Sequence, residues 1–172
     1  MDKSQDSLLE PMILNGLYSR LEDVLEPPCP KNIELDLGCG TGGFTIAIAK
    51  AFPDRTILAA DVMLGRLRKV KKHALREKAF NVRLLRIEAR HLLGVMVPDG
   101  YLDRLHILCP DPWPKDKHKA HRLLCSDFMA QIRRVLKPGG IFHFASDDVP
   151  YREAVCSLVK SSELFDDAGP EA

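Results

Sequence analysis

Short apolar segments alternate along the sequence with segments of helical periodicity, and this alternation restricts the fold more than any other feature. Strands are predicted at five places, residues 33–37, 56–60, 82–87, 102–109 and 141–145. The longest helix is predicted over 63–79, where Leu67, Val70 and Ala74 recur on one face. Strands that alternate with helices predict an α/β fold with a mainly parallel sheet and helices on both faces.

The chain of 172 residues has the size of one domain, and 45% of its residues are hydrophobic, which predicts a globular protein. We expect a single domain over 1–172, in which a broken amphipathic helix over 8–24 belongs to an N-terminal helical extension of residues 1–30. No apolar run approaches the roughly 20 residues that span a bilayer, and no secretory leader is recognisable, so a cytoplasmic location is expected. The five cysteines form no CxxC pair and the six histidines lack metal-ligand spacing, so no metal is predicted.

Towards the C-terminus, capping and helix-breaking residues define the expected elements. Ser126 is the expected N-cap of a helix over 127–136, and Lys137-Pro138-Gly139-Gly140 is expected to end that helix before the last strand. A final helix is predicted over 150–161. If the sheet ends with the strand at 141–145, that strand has an unpaired edge, which could recruit a second copy of the chain or another subunit.

Ligands of parallel α/β sheets bind at the carboxyl ends of the strands, so the residues at these positions are candidates for a site. A glycine-rich turn follows the first predicted strand, and an acidic residue stands at or near the end of each of the others. These acidic residues are Asp61, Glu88, Asp111 and Asp147. Five strand ends of this composition predict one Rossmann-like cofactor crevice.

The glycine-rich turn reads Asp36-Leu37-Gly38-Cys39-Gly40-Thr41-Gly42-Gly43, and Asp61 ends the following strand. Glycines permit a tight turn and the close approach of a ligand, and Asp61 has the spacing of a carboxylate that accepts hydrogen bonds from ribose hydroxyls. Both features serve NAD and FAD as well as S-adenosylmethionine (SAM). Asp36 favours SAM, because a carboxylate there suits the ammonium side of that cofactor and does not suit a pyrophosphate.

These residues also admit plainer interpretations, in which the glycines only shape a turn and the carboxylates only face solvent. The ordered succession of strand, loop, helix and acidic residue favours the cofactor interpretation. Glu88-Ala89 stays open, since Glu88 could approach the adenine amino group or could simply begin a helix.

The segment Pro110-Asp111-Pro112-Trp113-Pro114-Lys115 follows the fourth strand, and its prolines hold Asp111 on a stiff stretch at the mouth of the predicted crevice. Stiffness helps where a group must be positioned in advance. A proline-rich turn with an incidental aspartate explains the segment equally well on physical grounds alone.

The run PDPWPKDKHKAHRL resembles the signature of the tRNA (guanine-N7)-methyltransferases, a SAM-dependent family with a Rossmann-like fold. The resemblance extends from about Ile33 to Tyr151 and includes DLGCGTGGF, Asp61, Glu88-Ala89, LKPGG and HFASD. It implies methyl transfer from SAM to N7 of a guanosine in the variable loop of tRNA.

The resemblance also implies roles for single residues. The implied cofactor-binding residues are Asp36, Gly38, Gly40, Asp61, Glu88 and Ala89. Asp111 is the implied catalytic residue beside the reacting centre, and the implied substrate contacts are Lys115, Arg122 and Asp147. Because N7 already carries a lone pair, the reaction needs no general base. Asp111 or Asp147 would instead stabilise the positive charge that develops on the purine, or would accept hydrogen bonds from the guanine N1–H and amino edge, and Asp111 is the favoured residue.

The sequence departs from the family at several positions. Asp116 and Ala120 stand where the family is usually basic, and Ser146 replaces the usual threonine before Asp147. The C-terminal Thr-x-Phe-Glu segment of the family, followed by Arg-Gly, is absent from a chain that ends in LFDDAGPEA. We therefore expect either a truncated chain or a shortened member, with the last strands of a methyltransferase sheet missing.

A formal net charge of only +1 means that an RNA partner requires a local basic patch. One basic run directly follows PDPW beside the predicted crevice, and it consists of Lys115, Lys117, His118, Lys119, His121 and Arg122. A second run shares one face of the helix predicted over 63–79, and it consists of Arg68, Lys69, Lys72 and Arg76. The first run favours an RNA contact because of its position, whereas a solvated exterior is the favoured interpretation of the second.

Three functions compete at this point. The leading hypothesis is a tRNA guanine-N7 methyltransferase. The second is a SAM-dependent methyltransferase that acts on a small molecule or a protein, for which the basic run after PDPW is dispensable. The third is a shortened, non-catalytic SAM- or RNA-binding paralogue that needs a partner chain.

Overall fold

A six-stranded sheet forms the centre of the computed structural model, which describes residues 3–14, 20–25, 32–111 and 123–169. The strand order is β1-β4-β3-β2-β5-β6, and every neighbouring pair is parallel. The strands are Met12–Ile13 (β1), Ile33–Leu37 (β2), Thr56–Asp61 (β3), Val82–Arg86 (β4), Leu102–Leu108 (β5) and Leu136–Ala145 (β6). The predicted α/β fold with a parallel sheet is confirmed.

Seven α-helices and one π-helical turn accompany the strands in the described ranges. The helices are Lys3–Leu8 (α1), Leu21–Val24 (α2), Gly43–Ala51 (α3), Leu64–Glu77 (α4), Ala89–His91 (α5), Ser126–Val135 (α6) and Val149–Ser162 (α7). The π-helical turn, Leu92–Met96, continues directly from α5. None of the helices in the described part of the chain is long and apolar enough to cross a membrane.

The sheet is covered on both faces, because alternate side chains of its central strands enter two separate clusters. On β3, Ile57 and Ala59 join the cluster formed with α3 and α4, whereas Leu58 and Ala60 join the cluster on the opposite face. That second cluster includes Phe128 of α6 and further side chains of α6 and α7. The strands are therefore buried on both sides, as expected of a parallel sheet.

The N-terminal region differs from its prediction. Within residues 8–24, predicted as a broken helix, Met12 and Ile13 form β1, which pairs with Leu85 and Arg86 of β4. Residues 1–30 are therefore not a purely helical extension in the part that the structure describes. The physical reason is that β4 would otherwise present an unpaired edge, and backbone pairing with β1 satisfies it.

The α6–β6 junction also differs in detail. The N-cap of α6 is Cys125 rather than Ser126, which is the first helical residue, and no side chain caps this end. The strand begins at Leu136, five residues before its predicted start, because a β-bulge falls within it: Leu102 pairs with Leu136, whereas Arg104 pairs with Ile141. The glycines that were expected only to end the helix thus lie inside a strand element.

Candidate functional site

A cavity of about 300 Å³ opens at the carboxyl ends of β2, β3, β4 and β5, where the sequence predicts a crevice. Five of the predicted site residues line it, namely Gly38, Asp61, Glu88, Ala89 and Asp111. These residues follow four different strands, and the parallel arrangement brings their ends to one edge of the sheet. A cavity of this size, with an apolar lining and a few polar groups, suits a small organic ligand.

Asp61 is the best-defined carboxylate of the cavity. Its Oδ1 accepts the backbone N–H of Met63 at 2.7 Å, and its Oδ2 accepts the backbone N–H of Gly40 at 3.2 Å. The residue is only 4% exposed, so these bonds hold the carboxylate in place at the end of β3. Since a carboxylate has about four acceptor positions, Asp61 can also accept hydroxyl hydrogens from a ligand.

The glycine-rich turn is fixed against the neighbouring strand and against α4. The backbone N–H groups of Gly38 and Cys39 both donate to the carbonyl of Ala60, at 2.8 and 3.0 Å. Gly42 adopts a φ of +84°, and a Cβ at this position would lie 2.7 Å from Cγ1 of Val70. The turn therefore needs glycine at residue 42 for two reasons, its left-handed backbone and its contact with α4.

Asp36 lies away from the cavity wall, which differs from its predicted position beside the cofactor. Its side chain projects from β2 onto the face covered by α3, where Oδ2 accepts a hydrogen bond from Oγ1 of Thr45 at 2.5 Å. Burial raises the pKa of Asp36, although the bond from Thr45 and the positive charge of His106 act in the opposite direction. Asp36 is 2% exposed and forms a buried link between β2 and α3.

Glu88 begins a helix, which is one of the two roles that the sequence left open. Its Oε2 accepts the backbone N–H of His91 at 2.8 Å, so it caps the N-terminus of α5. The residue is nevertheless exposed and lines the cavity beside Ala89. One oxygen of the carboxylate therefore caps the helix, and the residue also lines the cavity.

Asp111 lines the cavity and is exposed. The chain reaches it through Cys109, which has a left-handed φ of 46° and donates its backbone N–H to the carbonyl of Ala145 at 2.8 Å. Asp147 is exposed after β6 and is not among the residues that line the cavity. Lys115 and Arg122 lie outside the described residues, as does the rest of the basic run after PDPW.

Arg66 is the cavity residue that sequence reasoning missed. Its guanidinium approaches Oδ2 of Asp61, with 3.4 Å between Nη1 and Oδ2. Among the described residues that line the cavity, it is the one cation beside three carboxylates, those of Asp61, Glu88 and Asp111. Its position three residues after Met63, in the first turn of α4, is the only signal that could have pointed to it.

A second polar cluster lies on the face of the sheet that α3 covers in part. Glu34 on β2 is buried and pairs with Arg55, and its Oε2 lies 3.0 Å from Nε2 of His106. Nδ1 of His106 lies 3.1 Å from Nδ1 of His143 on β6. Burial alone would raise the pKa of Glu34, but the hydrogen bonds from His106 and Arg55 outweigh it and hold the pKa below its usual value.

A separate cavity of about 340 Å³ opens at the opposite ends of the strands, beside Asp54, Arg104 and Lys137. It contains none of the predicted site residues, so the candidate site remains the cavity at the carboxyl ends.

Comparison with known proteins gives a consistent set of relatives. A family model described as "Putative methyltransferase" matches residues 30–171. The chain is 35% identical over 136 residues to a tRNA (guanine-N(7)-)-methyltransferase of Syntrophotalea carbinolica, covering 79% of this chain and 59% of that protein. It is 40% identical over 133 residues to the protein of the same name from Geobacter metallireducens, covering 77% of this chain and 63% of that protein.

A solved structure of similar fold is that of TrmN from Thermus thermophilus. The TM-score is 0.59 with 25% sequence identity, over 73% of this chain and 36% of that chain. The present chain thus spans about three fifths of the length of the two curated relatives.

Proposed function

The chain belongs to the methyltransferase family that includes these tRNA (guanine-N7)-methyltransferases, and from this premise we propose that it transfers a methyl group from SAM to N7 of a guanosine in the variable loop of tRNA. The observation that carries the proposal is the meeting of Asp61, Glu88 and Asp111 around one cavity beside the glycine-rich turn. The three residues lie at or just after the ends of three different strands. The resemblance in sequence implies a cofactor contact for Asp61 and Glu88 and a catalytic role for Asp111.

The residues at the cavity fit SAM by their chemistry. Asp61 is held by two backbone N–H groups and keeps acceptor capacity for ribose hydroxyls, and Gly38 leaves room beside it because no atom lies within 4 Å of its would-be Cβ. Three carboxylates against one guanidinium suit a ligand of net positive charge. Glu88 and Ala89 would lie towards the adenine. SAM itself supplies an activated methyl group on its sulfonium.

Asp111 is proposed as the catalytic residue because it is an exposed carboxylate that lines the cavity, so an acceptor base that enters from solvent can reach it. Its carboxylate would accept hydrogen bonds from the N1–H and amino edge of guanine and would stabilise the charge that methylation leaves on the ring. Positioning of N7 in line with the methyl group is the main requirement, since N7 needs no deprotonation. Lys115, Arg122 and Asp147 are the proposed substrate contacts.

The test combines purified protein, methyl-labelled SAM and unmodified tRNA, followed by nucleoside analysis of the product. We expect N7-methylguanosine from the wild type and a loss of at least 100-fold in rate for Asp111→Asn, which keeps the shape and removes the charge. The control is Asp54→Asn, which removes an exposed carboxylate at the opposite ends of the strands. Equal rates for Asp111→Asn and wild type would exclude the proposed role of Asp111.

Other outcomes of the same assay identify the competing functions. Label that enters a protein or a small molecule, and not tRNA, would indicate a different acceptor. SAM binding measured by calorimetry without any turnover would indicate a non-catalytic module. Neither of the two is favoured by an observation at the cavity.

A further partner is proposed from the sheet edge. β6 pairs only with β5 among the described strands, so its outer edge offers unpaired backbone groups over ten residues. A second copy of the chain or another subunit would pair there. Light scattering of the purified protein over a range of concentrations tests pairing of two copies. A monomer at every concentration would exclude a homodimer.

A further inference from the structure

Helix α4 carries more positive charge than any other helix or strand that the structure describes. Its 14 residues include six lysines and arginines and one carboxylate, that of Glu77. The formal net charge of the whole chain is only +1, so the remainder of the protein is net negative.

Three of these cations are exposed and have no carboxylate partner within the described ranges. They are Arg68, Lys69 and Lys72, which we name the α4 stripe. By contrast, Lys71 on another side of the helix is paired with Asp6 at 2.8 Å and with Glu10, and Arg76 is paired with Glu77 at 3.1 Å. Carboxylate partners are thus found where α4 meets the N-terminal segment and at its last turn, and none is found beside the stripe within the described ranges.

The charge pattern of α4 does not favour the helix itself. Arg68 and Lys72 are four residues apart and repel each other, and so do Lys72 and Arg76. The first turn contains no acidic residue and does contain Arg66, against the positive end of the helix macrodipole. The repulsion between these charges lowers the stability of the helix, and binding of an external polyanion would compensate for it.

The stripe is continuous with the candidate site. Arg66 lines the cavity, and Lys69 lies three residues further along α4, at a neighbouring position on the helix surface, from which the stripe continues along the helix. At 1.5 Å per residue, the segment from Arg66 to Arg76 extends about 15 Å, enough to follow several phosphates of a nucleic acid strand. The buried face of α4, formed by Leu67, Val70 and Ala74, points the other way into the core.

We propose that the α4 stripe, Arg68, Lys69 and Lys72, binds the phosphate backbone of the RNA whose base enters the cavity. The inference rests on the proposed function for the identity of the polyanion and adds the surface that holds it. Lysine and arginine contacts of this kind position a nucleic acid without reading its sequence. They also release counterions, so they make affinity depend on salt.

The test measures binding of an unmodified tRNA transcript to the full chain at several salt concentrations. The variant is Arg68→Gln/Lys69→Gln/Lys72→Gln. The matched control, Arg133→Gln/Arg152→Gln/Lys160→Gln, removes the same number of exposed cations from α6 and α7. We expect the stripe variant to bind at least tenfold more weakly, and the slope of log K against log salt to become about 2 to 3 flatter, since each phosphate contact contributes roughly 0.7 to 0.9. The control is expected to bind like the wild type.

Readouts besides RNA binding separate this inference from the proposed function. SAM affinity by calorimetry should match the wild type in both variants, and the thermal midpoint of the stripe variant should be no lower than that of the wild type, which establishes that the stripe variant is folded. If the wild type forms N7-methylguanosine and the stripe variant binds tRNA as tightly as the control, the inference is overturned and the function stands. If the wild type binds tRNA through the stripe and no N7-methylguanosine forms, the function fails and the inference stands. A wild type that does not bind tRNA at low salt overturns the inference.

Discussion

The guanidinium of Arg66 lies 3.4 Å from Oδ2 of Asp61, and both side chains line the same cavity. Arg66 is about half exposed, whereas Asp61 is buried. The arginine therefore occupies an acceptor position of the carboxylate to which we assign the ribose hydroxyls. It also introduces the one positive charge among the described residues that line the cavity.

This relationship predicts that Arg66→Gln tightens SAM binding by about two- to fivefold, the range that corresponds to the loss of one exposed ion pair. The same change should increase the preference for SAM over its neutral product S-adenosylhomocysteine, because the cavity becomes more negative. Calorimetric titration with both ligands measures the two effects. Arg68→Gln is the control, since it removes one charge from the same helix outside the cavity. Weaker SAM binding by Arg66→Gln would mean that the arginine holds the cofactor directly.

The contact between Gly42 and α4 predicts a strong effect of a single methyl group. Gly42→Ala should lower the free energy of unfolding by roughly 2–4 kcal/mol, because alanine opposes the left-handed backbone and its Cβ collides with Val70. Gly43→Ala is the matched control, since its Cβ meets no atom within 4 Å and the residue is already helical. The control should be neutral or more stable by up to about 1 kcal/mol. Urea denaturation of the three proteins measures the difference, and equal midpoints for both variants would contradict the packing argument.

The paired histidines predict a loss of stability in mild acid. Burial lowers the pKa of His143 below its usual value of 6.5, and the positive charges of His106 and Arg104 add to this effect. Since Glu34 can only accept, His106 donates its Nε2–H to it, and a single proton fits between Nδ1 of His106 and Nδ1 of His143. Because the pKa of His143 is lowered, its protonation is disfavoured in the folded state. The folded state then binds fewer protons than the unfolded state.

The sign of the pH effect follows from that lowered pKa. The stabilisation is complete above about 6.5 and is lost as the pH falls from there towards the folded pKa of His143, before most carboxylates titrate. The groups that face the pair are Glu34, Asp36, Arg55 and Arg104. The free energy of unfolding, measured by urea denaturation at several pH values between about 7.5 and about 5, should fall with pH in the wild type. In His143→Asn, the decrease in the free energy of unfolding that begins near neutral pH should be absent. The same decrease in this variant as in the wild type would show that His143 does not cause it.

Most of the sheet was predictable because its strands are recognisable in the sequence as short apolar runs. The predicted strand over 33–37 matches β2, and Asp61, Glu88 and Asp111 reach one cavity because strand ends of a parallel sheet share an edge. Local sequence was a weaker guide to pairings that depend on distant neighbours. Met12 and Ile13 form a strand only because β4 lies beside them, and the bulge at the start of β6 is defined by its register with β5.

The position of Asp36 could not be predicted from its place near a strand end, because that place does not determine on which face of the sheet the side chain lies. Strand alternation decides which face a side chain takes, and at Asp36 that face belongs to α3 and Thr45 rather than to the cavity. Arg66 was missed for the opposite reason. A helical arginine has no local signature of a ligand site, and only the fold brings it beside Asp61.

The backbone hydrogen bond from Cys109 to Ala145 bears on the position of Asp111. The segment that carries Asp111 leaves directly from β5, an interior strand, and this bond also ties it to the last residue of β6. The place of Asp111 at the cavity therefore depends on two strands, and a change in β6 that weakens the bond would be transmitted to the cavity through Cys109.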